Sequence, residues 1–359
     1  MLNFQPERLP KKILHIIESL AIGGAEKLLL GMINGMSNYE HHLIILGEPE
    51  TLRSSISADC AFLNLGIKNR PDFIRAVGKV KKYIRENNID IVHAHLYKAN
   101  ILSRLATPRK VLLFNSIHAI SSLAAYHGSR MTLIIERLSY RKRHHIIAVS
   151  QEVLKDFKNY VGLKGPSTVL YNFIDEKFFA PQPRAEFSKD KLQLVAVGNL
   201  RHQKNYPYLI EAFKKISPSV SLDIYGEGLM QAELKKQINE HKLNIRLCGL
   251  QKDMHTILPR YDAFVMSSFF EGQPLSLLEA MACGLPVLLA DIPVLREVTG
   301  NDALYFDIND PMSFGCKIQQ VLEGKVDLKR MAAASHKRVN EFAHRDQYFE
   351  KLNALYSRL

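Results

Sequence analysis

Two glutamates, Glu271 and Glu279, have seven residues between them in the segment FEGQPLSLLEAMACGLPVLLAD, residues 270–291. A Gly-x-Pro turn, Gly272 and Pro274, follows the first. The second sits in LSLLEAMA, a run that suits a helix; Gly284 and Pro286 close that helix and VLLA reads as a buried strand. The start of the helix, at Leu275–Ser276, offers free backbone N–H groups and the positive end of the dipole, a seat for phosphate. Carboxylates bind hydroxyls and amides bind a diphosphate, so the pattern suits a sugar nucleotide.

Two further segments carry polar groups at strand ends. VAVGNLRHQKN, residues 195–205, runs from a strand through Gly198 into a loop bearing Arg201 and Lys204. Two cations there can hold a diphosphate and offset the charge of a departing nucleotide. His118 ends the strand LFNSIH and suits a sugar contact or proton handling. His93 and His95 alternate on the strand IVHAH, one read as core and the other as facing a cleft. No metal-ligand spacing stands out, and no Asp-x-Asp is present to bridge a metal to a diphosphate.

The segment holding both glutamates, with EAMA and G-x-P-V, closely resembles the signature of retaining glycosyltransferases of family 4, which have the GT-B fold. The resemblance implies that Glu271 lies near the donor sugar and that Glu279 binds the nucleotide ribose. It extends to GGAE after the first strand, where the Gly23–Gly24 loop would line the cleft near donor phosphates and acceptor. It extends also to the G-x-L-x-x-x-K-N element at Gly198–Asn205, to Tyr225–Gly226–Glu227–Gly228, and to Cys248–Gly249–Leu250, where such enzymes hold the base through backbone groups. His118 matches a histidine that family members often carry. Two positions depart from the pattern: Asn199 stands where many members have arginine, so that role passes to Arg201, and Phe173 replaces a glycine in VLYNFID.

The elements that must position these residues alternate throughout. ILHII, HLIIL, IVHAH, VLLFNSIH and HIIAVS read as strands with helices between them, and the pattern restarts with LQLVAVG, SLDIYG, NIRLCG, AFVMSS and PVLLA. The fold class is α/β, two doubly wound Rossmann-like domains facing across a cleft, the default ligand site of such folds. The expected domains are 1–178 on the acceptor side, 188–340 on the donor side, and a helix over 341–359 that crosses back. Prolines and charge near 175–190 mark the linker.

The 359 residues are 47% hydrophobic and 23% charged, a globular composition, and no apolar run is long enough to span a bilayer. The N-terminus lacks the apolar core of a signal peptide, so a cytoplasmic location is expected, at the inner face of the membrane. Four scattered cysteines imply neither disulfide nor metal. Of the +12 net charge, most lies in residues 1–180, with 25 Lys and Arg against 15 Asp and Glu. Basic runs at Lys79–Arg85, Arg104–Lys110 and Arg137–Arg143, interleaved with Tyr83, Leu138 and Tyr140, suit an anionic membrane or a phosphate-bearing substrate. No nucleic-acid motif accompanies them.

The resulting expectation is a metal-independent, retaining hexosyl- or N-acetylhexosaminyl-type transferase. It would use a nucleotide-diphosphate sugar, UDP before GDP or ADP, and a glycan or lipid-linked acceptor, with no cofactor. The alternatives are a GT-B sugar-nucleotide epimerase and a non-catalytic nucleotide-sugar binder.

Overall fold

The computed structural model describes residues 11–57, 59–124, 130–180, 191–300 and 302–357. It divides into two compact units, one of Met1–Leu170 with Phe349–Leu359 and the other of Tyr171–Tyr348. The boundary precedes residue 178 because the chain from Tyr171 onward is already committed to the second unit. Ile174 and Phe178 are buried in its core, and the Asn172 amide donates to Gln273 Oε1. The second division falls inside the helix Arg345–Ser357. Of the linker expected near 175–190, residues 181–190 lie outside the described residues.

In the first unit, among the described residues, seven strands form one parallel sheet: β1 (Lys11–Ile17), β2 (Tyr39–Ile45), β3 (Ala61–Asn64), β4 (Ile91–His95), β5 (Leu112–Ile117), β6 (His145–Ala148) and β7 (Ser167–Val169). Their order is β3-β2-β1-β4-β5-β6-β7. The chain starts in the middle, winds outward through β2 and β3, then returns to β4, so the winding reverses between β1 and β4. That reversal is a topological switch point, where loops part and leave a crevice. β1 and β4 are covered on both faces, which is why they read as continuous apolar runs. The helix Arg70–Glu86 covers one face with Ala76, Val80 and Ile84, a four-residue spacing, and is capped by Asn69 accepting from the Asp72 amide.

The second unit repeats the plan with β8 (Leu192–Val197), β9 (Val220–Tyr225), β10 (Ile245–Gly249), β11 (Ala263–Met266), β12 (Val287–Ala290) and β13 (Leu304–Phe306). The order β10-β9-β8-β11-β12-β13 puts the switch point between β8 and β11. The strands β3, β7 and β13 were not anticipated from the sequence. They are three or four residues long and lie at sheet edges, too short to show a sustained apolar run or a clear alternation.

Candidate functional site

The carboxyl ends of β8 and β11 carry the densest polar constellation of the second unit. After β8 the chain makes a turn at His202–Lys204 and enters the helix Tyr206–Phe213 through Asn205, whose φ of 52° is left-handed. After β11 it runs through Glu271 to the helix Leu275–Ala282. Ser267 Oγ donates toward the Lys204 and Asn205 carbonyls at 2.9 and 3.1 Å. The Phe269 amide donates to the Gln203 carbonyl, and Gln203 Nε2 returns a bond to the Phe270 carbonyl at 2.9 Å. His202 stacks on Phe269. The two loops therefore form one rigid ledge.

On that ledge Lys204 Nζ meets Glu271 Oε1 at 2.7 Å, both side chains largely buried. The two residues singled out separately in the sequence are one ion pair. Arg201 stays exposed on the same loop, and no ion pair holds it among the described residues. The helix after Glu271 begins at Pro274 without a capping side chain. Among the described residues the amides of Leu275 and Ser276 have no partner. Two unpaired N–H groups, an unengaged guanidinium and a buried ammonium at a switch point suit a polyanion. Glu279 is buried one turn further on. Burial, and then the charge of Glu279, push the Cys283 thiol up to about 12.

The glycines of this region serve the ledge itself. A Cβ at Gly226, where φ is 145°, would run into the Gly198 carbonyl, and one at Gly228 would stand 2.5 Å from the Leu200 carbonyl. The backbone joins these turns through Gly198 N to Tyr225 O and Leu200 N to Glu227 O, both 2.9 Å. What approaches Gly226 closely is the neighbouring loop. Gly272 and Pro274 flank Gln273, which accepts from Asn172 at both its side chain and its carbonyl and so pins the Glu271 loop. Neither Gln273 nor Asn172 was selected from the sequence; the polar residue enclosed by Gly272 and Pro274 was the available signal. Leu250, just past β10, is exposed. Phe173, which stands in for glycine, is buried and packs on Tyr348 at 4.9 Å between ring centroids.

Gly23, Gly24 and His118 belong to the first unit. Gly23 is the N-cap of the helix Gly24–Gly35, and Glu26 folds its carboxylate back over Gly23, where a Cβ would oblige that side chain to shift. His118 follows β5, is partly buried, and lies 3.3 Å through Nε2 from His95 Nδ1. Burial lowers its pKa to about 4, so the ring is neutral near pH 7. The reading of His93 and His95 is corrected: residues two apart on a strand share a face, and both are fully buried beside His15. One nitrogen from each of these three histidines lies within 4.8 Å of the other two. No sequence spacing betrays this group, since its members come from β1 and β4.

The basic run at Arg137–Arg143 overlaps a helix turned inside out. In Arg130–Ser139 the buried residues are Glu136 and Ser139, while Met131, Ile134, Ile135 and Leu138 are exposed, Leu138 by 74%. The exposed four follow the 0, 3, 4, 7 spacing of a single stripe. The polar inner face is explained by Arg104, whose guanidinium meets Glu136 at 2.7 Å and Asn115 at 2.7 Å inside the core. Tyr140, expected among the membrane-facing aromatics, is instead 1% exposed and lies beneath Arg104. Tyr83 is half-buried and bonded to His42. Arg141, Lys142 and Arg143 are exposed, and Arg143 feels the like charges of Arg141 and Arg109. Among the described residues no helix is long and apolar enough to cross a membrane.

Residues 22–178 match the family described as Glycosyltransferase Family 4, and residues 179–338 match Glycosyl transferases group 1. The O-antigen biosynthesis glycosyltransferase WbnH of Escherichia coli is 28% identical over 328 residues, which is 90% of this chain and 93% of that protein. The UDP-Gal:alpha-D-GlcNAc-diphosphoundecaprenol alpha-1,3-galactosyltransferase of Escherichia coli is 28% identical over 68% of this chain and 69% of its own. Among solved structures, Anabaena Alr3699/HepE in complex with UDP and glucose superposes with a TM-score of 0.80 at 18% identity, covering 97% of this chain and 100% of that one. At that identity the likeness is one of fold.

Proposed function

We propose that this chain, whose residues 22–178 and 179–338 match two glycosyltransferase family models, moves a sugar from a UDP-sugar to a lipid-linked saccharide. The transfer is of a hexosyl or N-acetylhexosaminyl group, with retention and without a metal at the diphosphate. The observation that carries the reading is the Lys204–Glu271 pair, set at a switch point immediately before the unpaired amides of Leu275 and Ser276. Arg201, Lys204 and the two amides hold the diphosphate and take up charge as it leaves. Glu279 accepts from the ribose hydroxyls, the backbone at Leu250 holds the base, and Glu271 stands by the sugar. In the first unit, His118 takes the sugar and the Gly23–Gly24 loop the acceptor.

A carboxylate tied to an ammonium at 2.7 Å is a poor nucleophile. That favours a front-face path in which the departing phosphate oxygen removes the acceptor proton, over a covalent intermediate on Glu271. UDP is favoured because the galactosyltransferase relative is named for a UDP donor and the HepE complex holds UDP. The galactosyltransferase is also named for a lipid diphosphate acceptor. The test is a thermal-shift screen of UDP-, GDP- and ADP-sugars, followed by NMR of the product anomer in the presence of chelator. Stabilisation by a UDP-sugar and an unchanged anomeric configuration are expected; an inverted product would overturn the front-face reading.

Such an acceptor sits at a membrane, and the helix Arg130–Ser139 supplies the contact. Its apolar stripe enters an anionic leaflet while Arg130, Arg137, Arg141, Lys142 and Arg143 meet the headgroups, each worth about 1 kcal/mol near the surface. Co-sedimentation with anionic liposomes should fade with salt and fall in an Ile134→Ser, Leu138→Ser variant. Equal binding to neutral liposomes would count against it.

A further inference from the structure

Directly below the switch point of the first sheet, three imidazoles meet. His15 on β1 and His93 on β4 are register partners, and His95 shares the face of His93. All three are at most 1% exposed. The surrounding hydrogen bonds decide where several protons sit. His41 Nε2 lies 2.9 Å from the Met36 carbonyl, which can only accept, so that nitrogen carries hydrogen. His41 Nδ1 faces His15 Nε2 at 3.2 Å, and since His41 Nε2 already holds the hydrogen of that ring, Nδ1 accepts and His15 Nε2 donates to it. The relay leaves His15 Nδ1 as a lone pair, buried and without a partner. His95 Nε2 is buried and without a partner as well.

His93 is held from both sides, Nδ1 at 2.6 Å from the Tyr356 hydroxyl and Nε2 at 2.8 Å from the Ser116 hydroxyl. A buried polar atom with nothing to bond is costly and calls for an explanation. Here two such atoms sit in a cluster whose three rings each bring a nitrogen within 4.8 Å of the others.

We propose that His15, His93 and His95 form a transition-metal site in the first unit, with Zn²⁺ as the ion of best fit. Three neutral imidazoles without thiolate or carboxylate suit zinc, with a fourth position for water or hydroxide. Zinc–nitrogen distances of about 2.0–2.1 Å require the rings to draw together from their present spacing. His93 releases the small Ser116 hydroxyl and binds through Nε2. Its Nδ1–H then donates to Tyr356, the kind of outer partner that fixes a ligand's tautomer. His15 binds through Nδ1 and His95 through Nε2. His95 Nδ1–H therefore donates to His118 Nε2, so the ion in the core dictates which nitrogen of His118 holds the proton.

The test is a binding measurement on the full chain and does not depend on turnover. Elemental analysis of the isolated protein is followed by Co²⁺ titration of protein refolded from denaturant and chelator. One equivalent of metal, a tetrahedral Co²⁺ absorption spectrum and a higher melting temperature with Zn²⁺ are expected. His15→Asn and His95→Asn should each abolish stoichiometric uptake, while the exposed His241→Asn should not change it. If the ligand variants fail to fold, Tyr356→Phe replaces them, with an expected loss of about 10–100-fold in affinity. No stoichiometric uptake by the wild-type chain, or uptake that neither His15→Asn nor Tyr356→Phe weakens, overturns the site.

Discussion

The two switch points are built on the same winding and filled with opposite chemistry. Between β8 and β11 the second unit gathers formal charge: Lys204 against Glu271, with Arg201 left open to solvent. Between β1 and β4 the first unit gathers neutral rings, each of its three histidines held well below the ordinary pKa, first by burial. The same contrast separates the ion pairs. Arg104 of the first unit is buried, its guanidinium bonded to Glu136 and Asn115 and lying over the face of Tyr140, with Nη2 shut away from solvent and without a partner. Lys204 lies at a partly open ledge and keeps donors to spare. A crevice given by topology fixes where a ligand can sit; the side chains at the strand ends decide whether that place holds an anion or closes on itself.

The largest effect that would sharpen the contrast is on stability. Arg104→Ala leaves Glu136 buried without its partner and should cost about 3–5 kcal/mol by urea unfolding. A loss below about 1 kcal/mol would mean the pair is no keystone of the first unit. Next in size, Lys204→Ala should lower turnover by about 10²–10³ while leaving acceptor KM nearly unchanged. Near-normal turnover would erase the distinction drawn between the two pairs. Glu279→Ala should weaken UDP binding roughly tenfold or more by calorimetry, for the loss of a charged hydrogen bond of about 1.5–3 kcal/mol; unchanged affinity would remove Glu279 from the ribose.

The last effect is seen only in acid. Burial first, and then Arg143, lower the pKa of His144 to about 3, and its Nδ1 accepts from the Arg141 amide. Above about pH 6.5 the ring is neutral both folded and unfolded, and its contribution is complete. As pH falls below that, the unfolded chain binds a proton that the folded chain refuses until about 3, so stability is lost across that window. His144→Gln should flatten the decline of melting temperature with acid; an unchanged slope would show that His144 is not its source.

The residues at the ends of β8 and β11 could be picked out because they fall in two short segments, Gly198–Asn205 and Glu271–Glu279, each spanning one strand end and the next helix start. Local spacing therefore carried most of the information. The pairing of Lys204 with Glu271 was not legible, since it depends on β8 lying beside β11. The histidine cluster was hidden for the same reason, and the alternation on β4 was misassigned by half a period. The inverted helix escaped because amphipathicity shows where the stripe is, and only the buried Arg104 tells which side is inward. The close contact of Gly226 with the Gly198 carbonyl was not legible either, since it joins two loops distant in sequence.

The last turns of the chain have a consequence for synthesis. Tyr356 is fully buried in the first unit, bonded to His93, edge-on to Phe114, and holding Lys11 through its carbonyl. A ribosome delivers β1 well before Tyr356, which follows the end of the first unit's last strand, Val169, by about 187 residues. The first unit is thus begun before the second and finished after it. Until the C-terminal helix emerges, the nascent sheet must wait with a tyrosine-sized gap in its centre, exposed to whatever chaperones attend it.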